Sequence, residues 1–172
     1  MDIVLPSAPL RTAFYTMALD YRGSADQRYY TDIIKRGFSF EEYLTRLHRY
    51  SLGIDIEEGL VPYTTFWLVD KKMDTIYGVS RLRHILNTAS RKEGGHIGYD
   101  VPPSYRNAGY ATELLGLTVR KARAMGIARV LVTCDANNVA SSRVIIKNGG
   151  ALENQVISDY TRKIVNRYWI EC

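Results

Sequence analysis

Residues 128–135 read ARVLVTCD, an apolar, β-branched run with no room for the polar alternation of a half-solvated strand. A strand of that kind is covered on both faces, so it lies in the middle of a sheet with layers above and below it. The flanking segments supply helices. Upstream, Ala111, Leu114, Leu115, Thr118, Ala122 and Met125 recur at helical spacing, and Gly126 ends the run. Downstream, NNVASSRVIIKN opens with Asn137 or Asn138 as N-cap and closes at Gly149-Gly150. Alternation places Cys134 on the face of Val130 and Val132, which predicts core packing rather than a reactive thiol.

The remaining elements follow by period and punctuation. DIVLP predicts a short first strand, and LRTAFYTMALDY a helix with Leu10, Ala13, Phe14, Met17, Ala18 and Tyr21 on one face. Residues 22–37 lack a clear period and read as a loop with a helical turn. Ser39 and Glu42 then form a capping box, with Phe38 stapled to Tyr43; Phe40, Tyr43, Leu44 and Leu47 extend the apolar face to a stop at Gly53. From residue 63, YTTFWLVD, TIYGVSRL and GGHIGYDV predict three consecutive antiparallel strands, the last ended by Pro102-Pro103. ALENQVISD and TRKIVNRYWIE finish as strands. The order is strand, two helices, three strands, helix, strand, helix, two strands. It predicts a mixed α/β layer around one sheet, and it is not the order of a doubly wound dinucleotide domain. With 172 residues and no repeat or linker, residues 1–172 are expected to form a single domain.

Charge narrows the partners. Lys plus Arg number 23 against 18 Asp plus Glu, a surplus compatible with an anionic partner. The basic residues are dispersed, and no nucleic-acid-binding signature is present, so nucleic acid is not expected. Two cysteines make neither a disulfide framework nor a zinc site, and no metal is expected. Reduced thiols, no signal peptide and apolar runs too short for a bilayer predict a cytoplasmic protein with no membrane partner.

The chemistry starts in SYRNAGYATELL, residues 104–115. A helix N-terminus presents unpaired N–H groups and partial positive charge. Small residues at Gly109 and Ala111 leave room for an anion, and Arg106 adds a guanidinium suited to phosphate oxygens. The alternative is a plain turn in which Gly109 only tolerates positive φ. The stretch is neither a P-loop, since no G-K-[ST] follows, nor a G-x-G-x-x-G dinucleotide turn.

Together, GGHIGYDVPPSYRNAGYATELL, ARVLVTCDANNVASSRVIIKNGG and the strand order resemble the GNAT superfamily of acyl-CoA-dependent N-acetyltransferases. The superfamily pattern [QR]-x-x-G-x-[GA] is matched by Arg106, Asn107, Ala108, Gly109, Tyr110 and Ala111. The resemblance implies a twisted, mostly antiparallel central sheet of six to seven strands, with a splayed central parallel pair and about four flanking helices. It implies acetyl-CoA as cofactor, with the pyrophosphate of coenzyme A on the Arg106–Ala111 turn. The pantetheine arm would pair with the backbone of Tyr99, Asp100 and Val101. In the next helix Asn138, Ser141, Lys147 and Gly149 fit the family frame N-x-x-[AS] followed by Y-x-K-x-G-F. Ile145 stands where the tyrosine that protonates the leaving thiolate usually sits, and Gly150 where the aromatic sits.

The implied reaction is direct attack of an amine on a thioester, in a cytosolic, bacterial enzyme. His96 stands where the family often has the glutamate that takes the amine's proton, which makes it the candidate base, while Tyr105 and Ser142 are candidate proton donors to the thiolate. His84 reads as structural and His48 as surface. Glu41, Glu42, Glu57, Glu58 and Asp20 form either an acidic lip for a cationic amine or an ordinary solvated face, and Tyr29, Tyr30, Tyr63, Phe66 and Trp67 line either that cleft or the core. The acceptor, a small-molecule or peptide amine, is left open, as is a homodimer. The alternative function is a non-catalytic acyl-CoA sensor on the same fold.

Overall fold

The computed structural model describes every residue except 28, 36 and 38, and only the backbone of 32, 33 and 35. Its elements are β1 (Asp2–Val4), α1 (Arg11–Asp20), α2 (Phe40–Ser51), β2 (Tyr63–Val69), β3 (Ile76–Arg83), β4 (Ile97–Asp100), α3 (Tyr110–Ala124), β5 (Arg129–Asp135), α4 (Val139–Lys147), β6 (Ala151–Ile157) and β7 (Ile164–Glu171). The mixed α/β order expected from the period changes is present. The segment left without a period contains one wide helical turn, Tyr30–Lys35.

Local chemistry explains the helix ends. Ser39 Oγ accepts the Glu42 N–H at 3.3 Å, and Glu41 and Glu42 in the first turn with His48 and Arg49 in the last complement the helix dipole of α2. The expected Phe38–Tyr43 staple lies outside the described residues. Asn138, not Asn137, caps α4: its Oδ1 accepts the Ser141 N–H at 3.0 Å. Helix α1 has no side-chain cap and is held by packing. Phe14 stacks on Tyr43 at 4.9 Å and on Trp67 at 5.1 Å between ring centres, in the core that joins α1 and α2 to one face of β2 and β3. A second core packs α3 and α4 on the opposite face and contains Cys134, as alternation predicts. Met125, expected on the buried face of α3, is instead the exposed C-cap that follows it.

The central β layer is divided. The seven strands hydrogen-bond as two antiparallel sheets, β1-β2-β3-β4 and β5-β7-β6. The expected strand over GGHIGYDV is also shorter. Ser90–Gly94 forms another wide helical turn, Gly95 leaves it at φ 63°, and the strand begins only at Ile97. The two sheets meet where β4 faces β5. Among the described residues, no helix is long and apolar enough to cross a membrane.

Candidate active site

The seam between β4 and β5 is fastened at one end. A Cβ on Gly95 would lie 2.6 Å from the Leu131 carbonyl oxygen, so only glycine allows the two chains this close. The next residue completes the join. The His96 N–H donates to the Leu131 carbonyl at 2.6 Å, and His96 Nδ1 accepts the Leu131 N–H at 2.9 Å. A side chain thus stands in for the backbone acceptor that a ladder would use. Beyond it, from Ile97 onward, β4 pairs with β3 alone.

The open end of the seam leads to the turn before α3. Asn107 and Gly109 both have positive φ, 62° and 88°. Alternating positive and negative φ aims successive N–H groups into one concavity, the geometry of an anion nest. The N–H groups of Asn107, Ala108, Gly109, Tyr110 and Ala111 have no partner among the described residues. A Cβ on Gly109 would meet nothing within 4 Å, so its left-handed φ, not a packing contact, is what calls for glycine. Arg106 is exposed, and its Nε donates to the Val101 carbonyl at 3.1 Å, which holds the guanidinium over the end of β4. Five unpartnered donors and a nearby guanidinium fit a phosphate-bearing cofactor.

Helix α4 closes the other wall. The Tyr99 side chain crosses from β4 to the first turn of α4, where its hydroxyl lies 2.7 Å from Ser141 Oγ. Burial pushes its phenol up to about 12, so it is protonated at neutral pH. Ser142 Oγ lies 3.4 Å from Cys134 Sγ. Lys147 is exposed in the last turn of α4, and its neighbour Asn148 donates to the Thr112 carbonyl in α3 at 3.1 Å, which ties that end of α4 to the anion turn. The two departures from the family frame belong together. Ile145 is buried in the core, and a Cβ on Gly150 would stand 2.8 Å from its carbonyl oxygen.

On the α1–α2 side, Asp100 is more than a backbone position. Its carboxylate accepts from Tyr21 at 2.6 Å and Tyr29 at 3.2 Å, and pairs with Arg81 at 3.5 Å; Arg81 also donates to Tyr29. Sequence reading missed this cluster, because four residues from the C-cap of α1, the segment after it, β3 and β4 share no spacing signal.

The candidate catalytic residues are not brought together. Tyr105 packs against Tyr77 at 4.9 Å and Tyr110 at 6.2 Å and lines a cavity of about 410 Å³ against α1. Ser142 sits on α4, and His96 at the fastened end of the seam. Burial first, then the charges of Arg91 and Arg83, push His96 down to about 4. With Nδ1 holding the Leu131 N–H, its neutral tautomer carries the proton on Nε2 and offers no free lone pair. Of the other histidines, His84 Nε2 is 2.8 Å from Thr64 Oγ1, and His48 is exposed on α2. The acidic lip does not form as one surface. Glu41 pairs with Arg11, Glu57 accepts from Tyr50 at 2.8 Å, and Asp20 accepts the Ser104 N–H at 2.9 Å. Tyr29, Phe66 and Trp67 are core residues.

Comparison with known proteins decides the family. The family model described as "Acetyltransferase (GNAT) domain" matches residues 16–151. The chain is a member of the GNAT acetyltransferase family. Solved GNAT structures share its fold. RimJ from Mycobacterium smegmatis, in complex with CoA-disulfide, is 16% identical with a TM-score of 0.70 over 99% of this chain and 81% of that one. A chimera of spermidine N-acetyltransferase SpeG from Vibrio cholerae with hSSAT is 14% identical, TM-score 0.66, over 99% and 96%. The ribosomal-protein-S5-alanine acetyltransferase from Vibrio fischeri is 16% identical, TM-score 0.65, over 98% and 91%. Among curated proteins, none matches the sequence. This GNAT acetyltransferase uses acetyl-CoA, the donor of its family.

Proposed function

We propose that this GNAT protein transfers the acetyl group of acetyl-CoA directly to the amine of an acceptor. The observation that carries the reading is the row of five unpartnered N–H groups at Asn107–Ala111, open to solvent beside a seam where β4 and β5 do not pair. When bound, the cofactor supplies an activated thioester. Arg106, Asn107, Ala108, Gly109, Tyr110 and Ala111 hold its pyrophosphate, and Lys147 adds charge from α4. The backbone of Tyr99, Asp100 and Val101 orients the pantetheine arm, with β4 and β5 as a splayed parallel pair. Asn138 acts by capping α4 and so fixing Ser141.

Residue roles shift from the reading of the sequence. The half-buried hydroxyl pair of Tyr99 and Ser141 donates the proton to the departing thiolate, a part for which Tyr105 and Ser142 are less well placed. His96 is a positioning residue that fastens the seam. Two unpaired thiols, Cys134 and Cys172, fit a cytoplasmic setting.

Thermal unfolding with acetyl-CoA, coenzyme A, ATP and NAD tests the reading. A ligand at 100 times its dissociation constant adds about 2.7 kcal/mol, a rise of roughly 5–10 °C for a chain of this size. The expected result is a rise with acetyl-CoA and coenzyme A only. No rise with either sinks both the cofactor seat and the enzyme.

A further inference from the structure

The face of the first sheet that looks toward α1 and α2 carries an uncompensated positive charge. Cross-strand pairing puts Tyr63 opposite Arg83, and Thr65 opposite Arg81 opposite Gly98, on that one face. Arg81 has a counter-charge in Asp100 at 3.5 Å. Arg83 has none among the described residues. It is half-buried, and its Nη1 donates only to the carbonyls of Gly94 at 3.0 Å and Gly95 at 3.1 Å. A half-buried guanidinium without an anion is costly, and the cost is offset when a ligand brings one. Burial first and the charge of Arg81 second lower the Arg83 pKa, the direction expected where no anion compensates. Beside the two arginines, a Cβ on Gly98 would meet nothing within 4 Å, so the sheet is bare there, one residue before Tyr99 and the open seam.

We propose that the acceptor is an amine that also carries a carboxylate, and that Arg83 receives this carboxylate while the nitrogen lies over Gly98 at the seam. This rests on the acetyltransferase reading above, which puts the reacting carbon at the end of β4. Arg83 is one two-residue step along β3 from the residue paired with Gly98, about 7 Å. With the guanidinium held at the Gly94 and Gly95 carbonyls, that backbone step suits an acceptor whose carboxylate lies several bonds from its amine, as in a dipeptide. The uncompensated Arg83 on the floor disfavours a polyamine, whose remaining cations would face like charge there.

The test is calorimetry on the coenzyme A-loaded protein with three probes: alanyl-alanine, alanyl-alanine amide and spermidine. The acid is expected to bind saturably, about 10- to 100-fold more tightly than the amide or spermidine, the worth of a charge-assisted hydrogen-bonded pair. Arg83→Leu should abolish that preference and leave coenzyme A affinity unchanged. The acid-to-amide comparison in the unaltered protein stands even if the variant fails to fold. Equal or tighter binding of the amide or spermidine overturns the proposal, as does absence of saturable binding by the acid. Failure of coenzyme A itself to bind overturns the acetyltransferase reading first, and this inference with it.

Discussion

Gly95 and Gly109 sit at opposite ends of the same seam, both at left-handed φ, 63° and 88°. The first is explained by the protein itself: a Cβ there would strike the backbone of Leu131. The second is not, since a Cβ there would meet nothing. What sets the Gly109 turn apart is the row of unpartnered N–H groups around it, which the proposed function fills with the pyrophosphate of the cofactor. Packing and binding therefore leave different marks on the same residue type.

Breaking that comparison takes one substitution at each end. Gly109→Glu places a carboxylate in the anion nest, and coenzyme A affinity measured by calorimetry should fall by more than about 100-fold. Normal affinity would move the cofactor elsewhere. Between the two ends, Tyr99→Phe should lower kcat by about 100-fold with coenzyme A affinity retained. An unchanged kcat would remove the phenol from the chemistry. Gly95→Ala should act on the fold instead. It combines positive-φ strain with a backbone clash, costing roughly 2–4 kcal/mol, or about 10 °C in melting temperature without ligand. A stable Gly95→Ala protein would mean that the fastened end is slack.

The smallest effect sharpens the role of His96. Asn at this position can still accept the Leu131 N–H, so His96→Asn should keep turnover at pH 7.5 within about threefold, because only one hydrogen bond is exchanged for another. The histidine is held near 4 when folded, against an ordinary 6.5. Below pH 6.5 the unfolded chain gains a proton that the native state refuses. Stability therefore falls as pH drops from about 6.5 toward 4, and that portion of the slope should vanish in His96→Asn. Loss of turnover in this variant would restore His96 as the base.

The open turn before α3 was legible because its requirements are local. Arg106, Gly109 and Ala111 lie within six positions, and small residues before an apolar helical run announce an open N-terminus. The element order was legible for the same reason, since a change of hydrophobic period is a short-range signal. What stayed hidden depends on long separations. Nothing in GGHIGYD says that His96 will accept the N–H of Leu131, or that Asp100 will gather Tyr21, Tyr29 and Arg81. The split into two sheets was hidden too, because a strand's partners cannot be read from the strand. Ile145 looked like a lost tyrosine, yet it is buried against Gly150, and a phenol reaches α4 from Tyr99 instead.

With the two sheets joined edge to edge through Leu131, the seam is expected to act as a lever pivoted at one end. Any molecule lodged near Tyr99 would act at the far arm, where a small force does most to stop the halves from gaping. Amide hydrogens along the β4-facing edge of β5 should then exchange with solvent much more slowly once that arm is clamped, which makes the rigidity of the molecule a property of its cargo.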